Sequence, residues 1–253
     1  MRIWALLLDN SIGPWNQMYQ NGVLKTWCSQ PNSGIEATMY QGKKPGNVTL
    51  RTVLNRVLVS RYFQKNWRFF QVKLRSNQVQ CTEVGNTIVV NIAETWPNIT
   101  LKSLAAIRYI QNNHNFDFLI RANASCYVNV SMLKAHLESL SGTFIYAGPK
   151  NSNKDFISGW GIVLNRKAIE NLLNREELKF LELFDDEAIG QILKSSGIEC
   201  QAIPYREISS LQELESISRA ELASFPFIRV KSSHKGKRID DVLMRRVHEL
   251  VGE

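Results

Sequence analysis

The stretch that decides the fold is FDFLIRANASCYVN, at residues 116–129. Its apolar run at residues 118–120 predicts a buried strand, and a second short β-prone piece follows at residues 126–128. A small polar segment without Gly or Pro separates the two, so this strand end would present small side chains at the carboxyl edge of a sheet. Because ligands of open α/β sheets bind at that edge, the stretch is a candidate binding site. The alternative is an ordinary strand end that binds nothing.

The rest of the chain alternates strands and helices up to about residue 130. Apolar runs predict strands at residues 3–8, 35–40, 67–72, 88–92, 144–147, 198–203 and 225–230. Helical spacing of apolar residues predicts helices at residues 15–27, 50–63, 101–112, 130–140, 167–173, 187–196, 209–220 and 239–251. Residues 75–85 are polar and predict irregular structure. This order predicts an α/β fold with a largely parallel sheet, in one compact domain spanning residues 1–253.

The composition indicates a globular protein but does not identify its ligand. The chain has 253 residues, of which 44% are hydrophobic and 21% charged, a soluble globular profile with room for one sizeable core. Its net charge of +8 suits a polyanionic partner such as nucleic acid, a membrane surface or a nucleoside diphosphate. No nucleic-acid-binding motif accompanies that charge, so we expect no nucleic-acid partner.

The amino-terminal apolar run and the cysteines bear on localisation. The run within residues 1–9 is too short for a signal peptide or a membrane span, so we expect no transmembrane segment. The four cysteines are widely spaced, which is typical of reduced thiols. We therefore expect a cytoplasmic protein, either free or peripheral at a membrane.

Six segments, in order along the chain, resemble the β-1,3-galactosyltransferases and Fringe-like glycosyltransferases. They are KTW at residues 25–27, NITLK at 98–102, FLIRANASCYVN at 118–129, YAG at 146–148, ISGWG at 157–161 and DDEAIG at 185–190. The resemblance implies a GT-A-like, Rossmann-type α/β/α sandwich with a small additional sheet. It also implies inverting transfer of a sugar from a nucleoside diphosphate sugar, with a UDP-sugar expected, to a glycan hydroxyl. The implied process is the synthesis of a surface polysaccharide or glycoprotein.

The sequence departs from this family at its aspartate-rich metal motif. The motif falls on Asn123, Ala124 and Ser125, so every carboxylate of it is missing. Hard divalent cations favour anionic oxygen ligands, so bound Mn²⁺ or Mg²⁺ is disfavoured and we expect no cofactor. Two hypotheses follow. The protein is a metal-independent enzyme, or it is a degenerate relative that binds nucleotide or glycan without turnover.

Inverting transfer needs a base that takes the proton of the acceptor hydroxyl. Asp186 is the candidate because it falls on the aspartate of the family motif. The alternative is helix capping, since Asp185, Asp186 and Glu187 stand where a helix begins and acids there stabilise the helix dipole. Asp185 is either such a cap or a partner of the base.

Positive charge must stabilise the leaving diphosphate in the absence of a metal. The candidates are Arg121, Arg229, Lys231, Lys235, Lys237 and Arg238. Residues 229–253 are the segment that the resemblance places over the donor, as a basic loop followed by the terminal helix. The alternative is a solvated basic loop.

Further candidates surround these groups. Asp9 and Asn10 end the first strand, where base and ribose would bind, and Asn123 and Ser125 could hydrogen-bond the donor. The resemblance places Ser158, Gly159 and Trp160 on the acceptor side. The Trp160 ring suits a sugar face, with core packing as the alternative.

Overall fold

The computed structural model describes residues 1–9, 14–30, 34–43, 75–95, 98–150, 154–232 and 238–252. The helix predicted at residues 50–63 and the strand at 67–72 lie outside the described residues. So do three of the predicted site residues, Asn10, Lys235 and Lys237.

The described elements follow the predicted alternation. The strands are β1 (Ile3–Leu8), β2 (Ile35–Lys43), β3 (Cys81–Val84), β4 (Thr87–Ala93), β5 (Phe118–Ala122), β6 (Cys126–Val128), β7 (Tyr146–Gly148), β8 (Gly161–Asn165), β9 (Gln201–Ala202), β10 (Tyr205–Ile208) and β11 (Phe227–Val230). The α-helices are α1 (Pro14–Asn21), α2 (Ile99–Asn113), α3 (Val130–Ser139), α4 (Arg166–Asn174), α5 (Asp185–Ser195), α6 (Leu211–Ser216), α7 (Arg219–Ala223) and α8 (Asp240–Val251).

Two sheets organise these elements. The large sheet has eight described strands in the order β3-β4-β2-β1-β5-β8-β7-β9. Its centre is parallel, since β1 pairs with β2 and β5, and β2 pairs with β4, all in the same direction. The strand β8 runs antiparallel to β5, so the start of β8 meets the carboxyl end of β5. A small sheet, β10-β11-β6, stands beside the carboxyl end of β5.

The large sheet is covered on both faces. Alternate residues of β1 point to opposite sides, as the period of a strand requires. Ile3 and Leu7 join an apolar cluster that includes side chains of α1, α3 and α8. Trp4 and Leu6 join a second cluster with side chains of α2, α4 and α5. This three-layer arrangement confirms the predicted fold class, an α/β/α sandwich with a mostly parallel central sheet and a small additional sheet.

Several predicted boundaries were wrong, for local reasons. The strand β3 forms within residues predicted to be irregular, because it is an exposed edge strand without an apolar face. The helix predicted at residues 15–27 ends at Asn21. Gly22 follows it at a point where α8 packs closely, since a Cβ there would lie 3.3 Å from the Asp241 Cα. The helix predicted at residues 209–220 is divided between α6 and α7, since Ser218 begins a new helix by accepting the Glu221 amide.

Two further observations concern the cysteines and the helices. All four cysteines are free thiols. Burial raises the pKa of the Cys81 thiol to about 11, which suppresses thiolate reactivity. No helix within the described ranges is long and apolar enough to cross a membrane.

Candidate active site

The predicted site residues gather at the carboxyl edge of the parallel strands. Asp9 follows β1, and its amide donates to the Tyr40 carbonyl of β2 at 3.0 Å. Arg121 and Ala122 end β5, where Ala122 stands opposite Gly161 at the start of β8. Helix α5 brings its amino terminus, with Asp185 and Asp186, to the same edge. The structure therefore brings Asp9, Arg121, Asp185 and Asp186 to one edge of the sheet, and the binding role of that edge stays a prediction.

A buried polar network lies beneath this edge, and we call it the Arg121 network. The Arg121 side chain is 2% exposed, and its Nη2 donates to Asp185 Oδ2 in a short ion pair. Arg121 Nε donates to the Tyr40 hydroxyl at 3.1 Å. Ser103 Oγ donates to the same Asp185 oxygen at 2.7 Å and lies 2.8 Å from the Tyr40 hydroxyl. The network thus joins β2, β5, α2 and α5.

Burial and charge act on the ionisation of this network in opposite directions. Burial by itself would lower the pKa of Arg121, but Asp185 and Tyr40 more than offset it, so its pKa is raised. Burial raises the pKa of Tyr40 to about 12, although Arg121 opposes the shift. Arg121 is therefore cationic and Tyr40 neutral at physiological pH. The predicted contact of Arg121 with a phosphate stays a prediction, and the structure gives its charge an internal partner.

Asp186 lies next to this network on its open side. The side chain is partly exposed, and its Oδ2 accepts from the Gly159 amide at 3.0 Å. Its Oδ1 accepts from the Glu187 amide at 2.9 Å, which also satisfies the first turn of α5. A Cβ at Gly159 would lie 3.1 Å from Asp186 Oδ2 and 3.0 Å from Arg121 Nη1, so a larger residue there would crowd both side chains. The arrangement fits both a fixed base and a helix cap, and the catalytic role stays a prediction.

The positions of the missing carboxylates form a self-contained turn. Asn123 Oδ1 accepts from the Ser125 amide at 3.0 Å and from the Ser125 hydroxyl at 2.8 Å. The turn is also bound to the small sheet, since the Val230 amide of β11 donates to the Ser125 carbonyl at 2.9 Å. Among the described residues there is no cluster of three or more His, Cys, Asp or Glu that could hold a metal ion. The oxygen atoms offered here are neutral and partly engaged, a poor fit for Mn²⁺ or Mg²⁺.

Like Arg121, two further predicted phosphate cations have acidic partners. Arg229 Nη1 lies 2.9 Å from Glu207 Oε1, and its guanidinium is 5.6 Å from the centre of the Trp160 ring. Arg238 pairs with the buried Asp240 and lies 4.9 Å from the centre of the Trp15 ring. Lys231 is exposed. The role of all three in diphosphate binding stays a prediction.

The acceptor-side candidates differ in exposure. The Trp160 side chain packs edge-on against Tyr205 and Phe227, with ring centroids 5.4 and 6.1 Å away. The residue is only 3% exposed, so the structure favours the alternative of core packing over a sugar platform. Ser158 and Gly159 are partly exposed beside Asp186 and stay candidates for the acceptor side.

Sequence reasoning missed a second buried pair at this edge, which we call the Glu94–Lys102 pair. Lys102 Nζ lies 2.6 Å from Glu94 Oε1 and 3.4 Å from the Asp9 carbonyl oxygen. Burial lowers the pKa of Lys102, and Glu94 opposes that shift. In the sequence, Lys102 belongs to the NITLK segment at residues 98–102, to which no buried ion pair was assigned. The available signal was a lysine next to the apolar positions Leu101 and Leu104.

Comparisons with known proteins give weak structural likenesses. No family model matches the chain, and no curated protein matches it. The glycosyltransferase GlyE of Streptococcus pneumoniae TIGR4 has 10% sequence identity and a TM-score of 0.47, covering 98% of this chain and 60% of its own. The mannosyltransferase PcManGT of Pyrobaculum calidifontis, in complex with GDP-Man and Mn²⁺, has 8% identity and a TM-score of 0.48, covering 98% and 61%. The galactosyltransferase LgtC, with donor and acceptor sugar analogs, has 12% identity and a TM-score of 0.47, covering 98% and 95%.

These values limit what the comparisons carry. The chain spans only about 60% of the length of the first two proteins. All three TM-scores are below 0.5, so the likenesses establish no family for this chain. The resemblance to Fringe-like enzymes in particular stays a prediction.

The Arg121 network generates a stability prediction. We expect Arg121→Met to lower the free energy of unfolding by about 3–5 kcal/mol, because it leaves Asp185 buried without its cation. Adding Asp185→Asn should recover at least about 1 kcal/mol, since it removes the uncompensated charge. Urea unfolding measures both. The control is Arg246→Met, whose partner Glu249 is exposed, with an expected loss below about 1 kcal/mol. Equal losses for Arg121→Met and Arg246→Met would contradict the assignment.

Proposed function

We propose that this protein is a glycosyltransferase that moves a sugar from a nucleoside diphosphate sugar to a hydroxyl of a glycan acceptor. The reaction is an inverting displacement, it needs no divalent metal, and it serves the synthesis of a surface polysaccharide or glycoprotein. The observation that carries the proposal is the partly exposed Asp186 carboxylate, which accepts hydrogen bonds from two backbone amides. The charge of the adjacent Asp185 is balanced by its ion pair with Arg121. It lies at the carboxyl edge of a parallel sheet, where α/β folds bind ligands.

The proposed chemistry is a single displacement at the anomeric carbon. The acceptor oxygen forms a bond to that carbon as its proton passes to Asp186, which acts as general base. The bond from the anomeric carbon to the diphosphate oxygen breaks, and the diphosphate keeps the electron pair. The amides of Gly159 and Glu187 hold the carboxylate in one orientation, which lowers the entropic cost of placing it against the hydroxyl.

The leaving diphosphate must be stabilised by positive charge. The turn at Asn123 and Ser125 is a poor metal site, so this charge has to come from basic side chains. Lys231, Lys235 and Lys237 are the proposed source in the basic segment. Arg229 can contribute because its partner Glu207 is 53% exposed and a diphosphate competes well with an exposed carboxylate. Arg238 is held by the fully buried Asp240, so it contributes by long-range attraction. Arg121 supports the site from below through Asp185.

The two substrates would occupy neighbouring parts of this edge. Asp9 and Asn10 mark the proposed position of the base and ribose at the end of β1. Asp9 is only 3% exposed, so it would shape this position from within the fold. Asn123 uses its carbonyl oxygen within the turn, so its Nδ2 hydrogens are the group that it offers to a donor sugar or ribose. Ser158 and Gly159 are the proposed contacts of the acceptor, because they lie beside Asp186 and are partly exposed.

The second candidate function is a degenerate module that binds nucleotide or glycan without turnover. The observation that favours it is the absence of a carboxylate from Asn123, Ala124 and Ser125. Both hypotheses share the same binding edge and differ only in turnover. Nucleic-acid binding rests on the net charge of +8 alone and is not proposed.

The first prediction concerns metal. We expect UDP or GDP to raise the melting temperature by several degrees without added Mn²⁺, because binding to the folded state alone stabilises it. EDTA should leave this rise unchanged, and Mn²⁺ alone should produce none. Differential scanning fluorimetry measures all three. Loss of the nucleotide-induced rise in EDTA would refute metal independence.

A further prediction concerns Asp186 as the general base. Asp186→Asn should lower the rate of sugar transfer by at least about 10²-fold, since the amide cannot accept the proton, while the nucleotide Kd stays within about twofold. The control is Asp155→Asn, whose carboxylate is exposed and pairs with Lys194. Transfer by Asp186→Asn at the parent rate would rule out the base assignment. A parent protein that binds nucleotide but transfers no sugar from a broad donor panel would favour the degenerate module.

A further inference from the structure

The two charged side chains of the Glu94–Lys102 pair are buried, so water does not solvate them. The Lys102 side chain is 2% exposed and that of Glu94 is 8% exposed. Removing two charges from water costs several kcal/mol per ion, and apolar side chains of similar volume often stabilise a fold equally well. Stability by itself is therefore a weak explanation for a buried pair in this place.

The geometry of the pair indicates what else it does. Glu94 follows β4 and accepts the Gly42 amide near the end of β2 through Oε2. Its Oε1 accepts from Lys102 of α2, whose Nζ also reaches the Asp9 carbonyl at 3.4 Å. One ion pair thus connects the carboxyl ends of β1, β2 and β4. These strand ends form the side of the edge that carries Asp9, away from β8 and Asp186.

We propose that the Glu94–Lys102 pair is a positioning pair for the nucleotide portion of the donor. This inference rests on the proposed function. The pair touches no substrate itself. It fixes the main chain at Asp9 and at the neighbouring strand ends, so that this part of the edge already has its shape when the nucleotide binds. Such pre-organisation lowers the cost of binding and does not act on the chemical step.

Helix α2 offers a matched internal control. Arg108 of the same helix pairs with Glu176 at 3.5 Å, and that carboxylate also accepts a backbone amide, from Ser76, at 2.6 Å. Arg108 stands six residues beyond Lys102, which is about 9 Å along the helix axis. Since α2 follows β4 and packs along the sheet, Arg108 lies further from the carboxyl edge. In both pairs a basic side chain of α2 meets a buried carboxylate that also accepts a backbone amide. The pairs differ in the exposure of the cation, 2% for Lys102 and 25% for Arg108, and in their distance from the proposed nucleotide site.

The test compares two double variants with the parent protein. Glu94→Gln/Lys102→Met and Glu176→Gln/Arg108→Met each replace an ion pair that has a buried carboxylate by neutral side chains of similar size. Calorimetric titration gives the Kd for UDP and GDP, and steady-state kinetics with the donor gives KM and kcat. For the first variant we expect nucleotide Kd and donor KM to rise at least about tenfold with kcat within about twofold. For the second we expect both to stay within about twofold of the parent, even if its melting temperature falls.

The outcomes separate this inference from the proposed function. If the parent binds nucleotide and the Glu94→Gln/Lys102→Met variant binds equally well, the positioning role is wrong and the proposed function stands. Equal losses in both double variants would also overturn the positioning role, since they would reflect general destabilisation. A parent that binds no nucleoside diphosphate refutes the proposed function and this inference together. Should the double variant fail to fold, Glu94→Gln alone keeps the Gly42 contact and should raise Kd by about threefold. An unchanged Kd would count against the pair.

Discussion

The buried ion pair between Arg121 and Asp185 is the interaction on which the rest of the site depends. It connects β5, at the centre of the sheet, with the first turn of the helix that carries Asp186. Two adjacent carboxylates at a helix start would repel each other at this edge. Because Arg121 neutralises Asp185, the neighbouring Asp186 can present its carboxylate toward Gly159 on the open side. The ion pair therefore holds the first turn of α5 against β5, and it leaves Asp186 as the acid that contacts Gly159.

Two consecutive residues of α2 connect the two parts of the carboxyl edge. Ser103 donates to Asp185 and so belongs to the Arg121 network, next to the proposed transfer centre. Lys102 joins Glu94 and reaches the Asp9 carbonyl, next to the proposed nucleotide position. One helix thus supports both ends of the edge with buried polar side chains. The proposed division between a nucleotide end and a transfer end corresponds to the strand order, in which β1 lies between β2 and β5.

Much of the fold could be predicted because its signals are local. The strands β1 and β6 have the predicted bounds, since continuous apolar or β-prone runs define them. The site was predictable only in part. Arg121 was recognised as a cation, but its partner lies 64 residues away, and no local pattern reveals such a contact. The burial of Trp160 likewise depends on Tyr205 and Phe227, which come from the small sheet.

The turn at Asn123 and Ser125 decides whether a divalent cation can bind the diphosphate at this edge. Its oxygens are neutral and hydrogen-bonded within the turn, so the account requires that a diphosphate bind here without a divalent cation. The most direct measurement is a crystal structure of the complex with a nucleoside diphosphate, grown in the presence of a chelator. The account predicts density for the diphosphate between Asp9 and the turn at Asn123, with no cation bound to it. Density at another place on the protein, or binding at this edge only when a bridging metal ion is supplied, would contradict it.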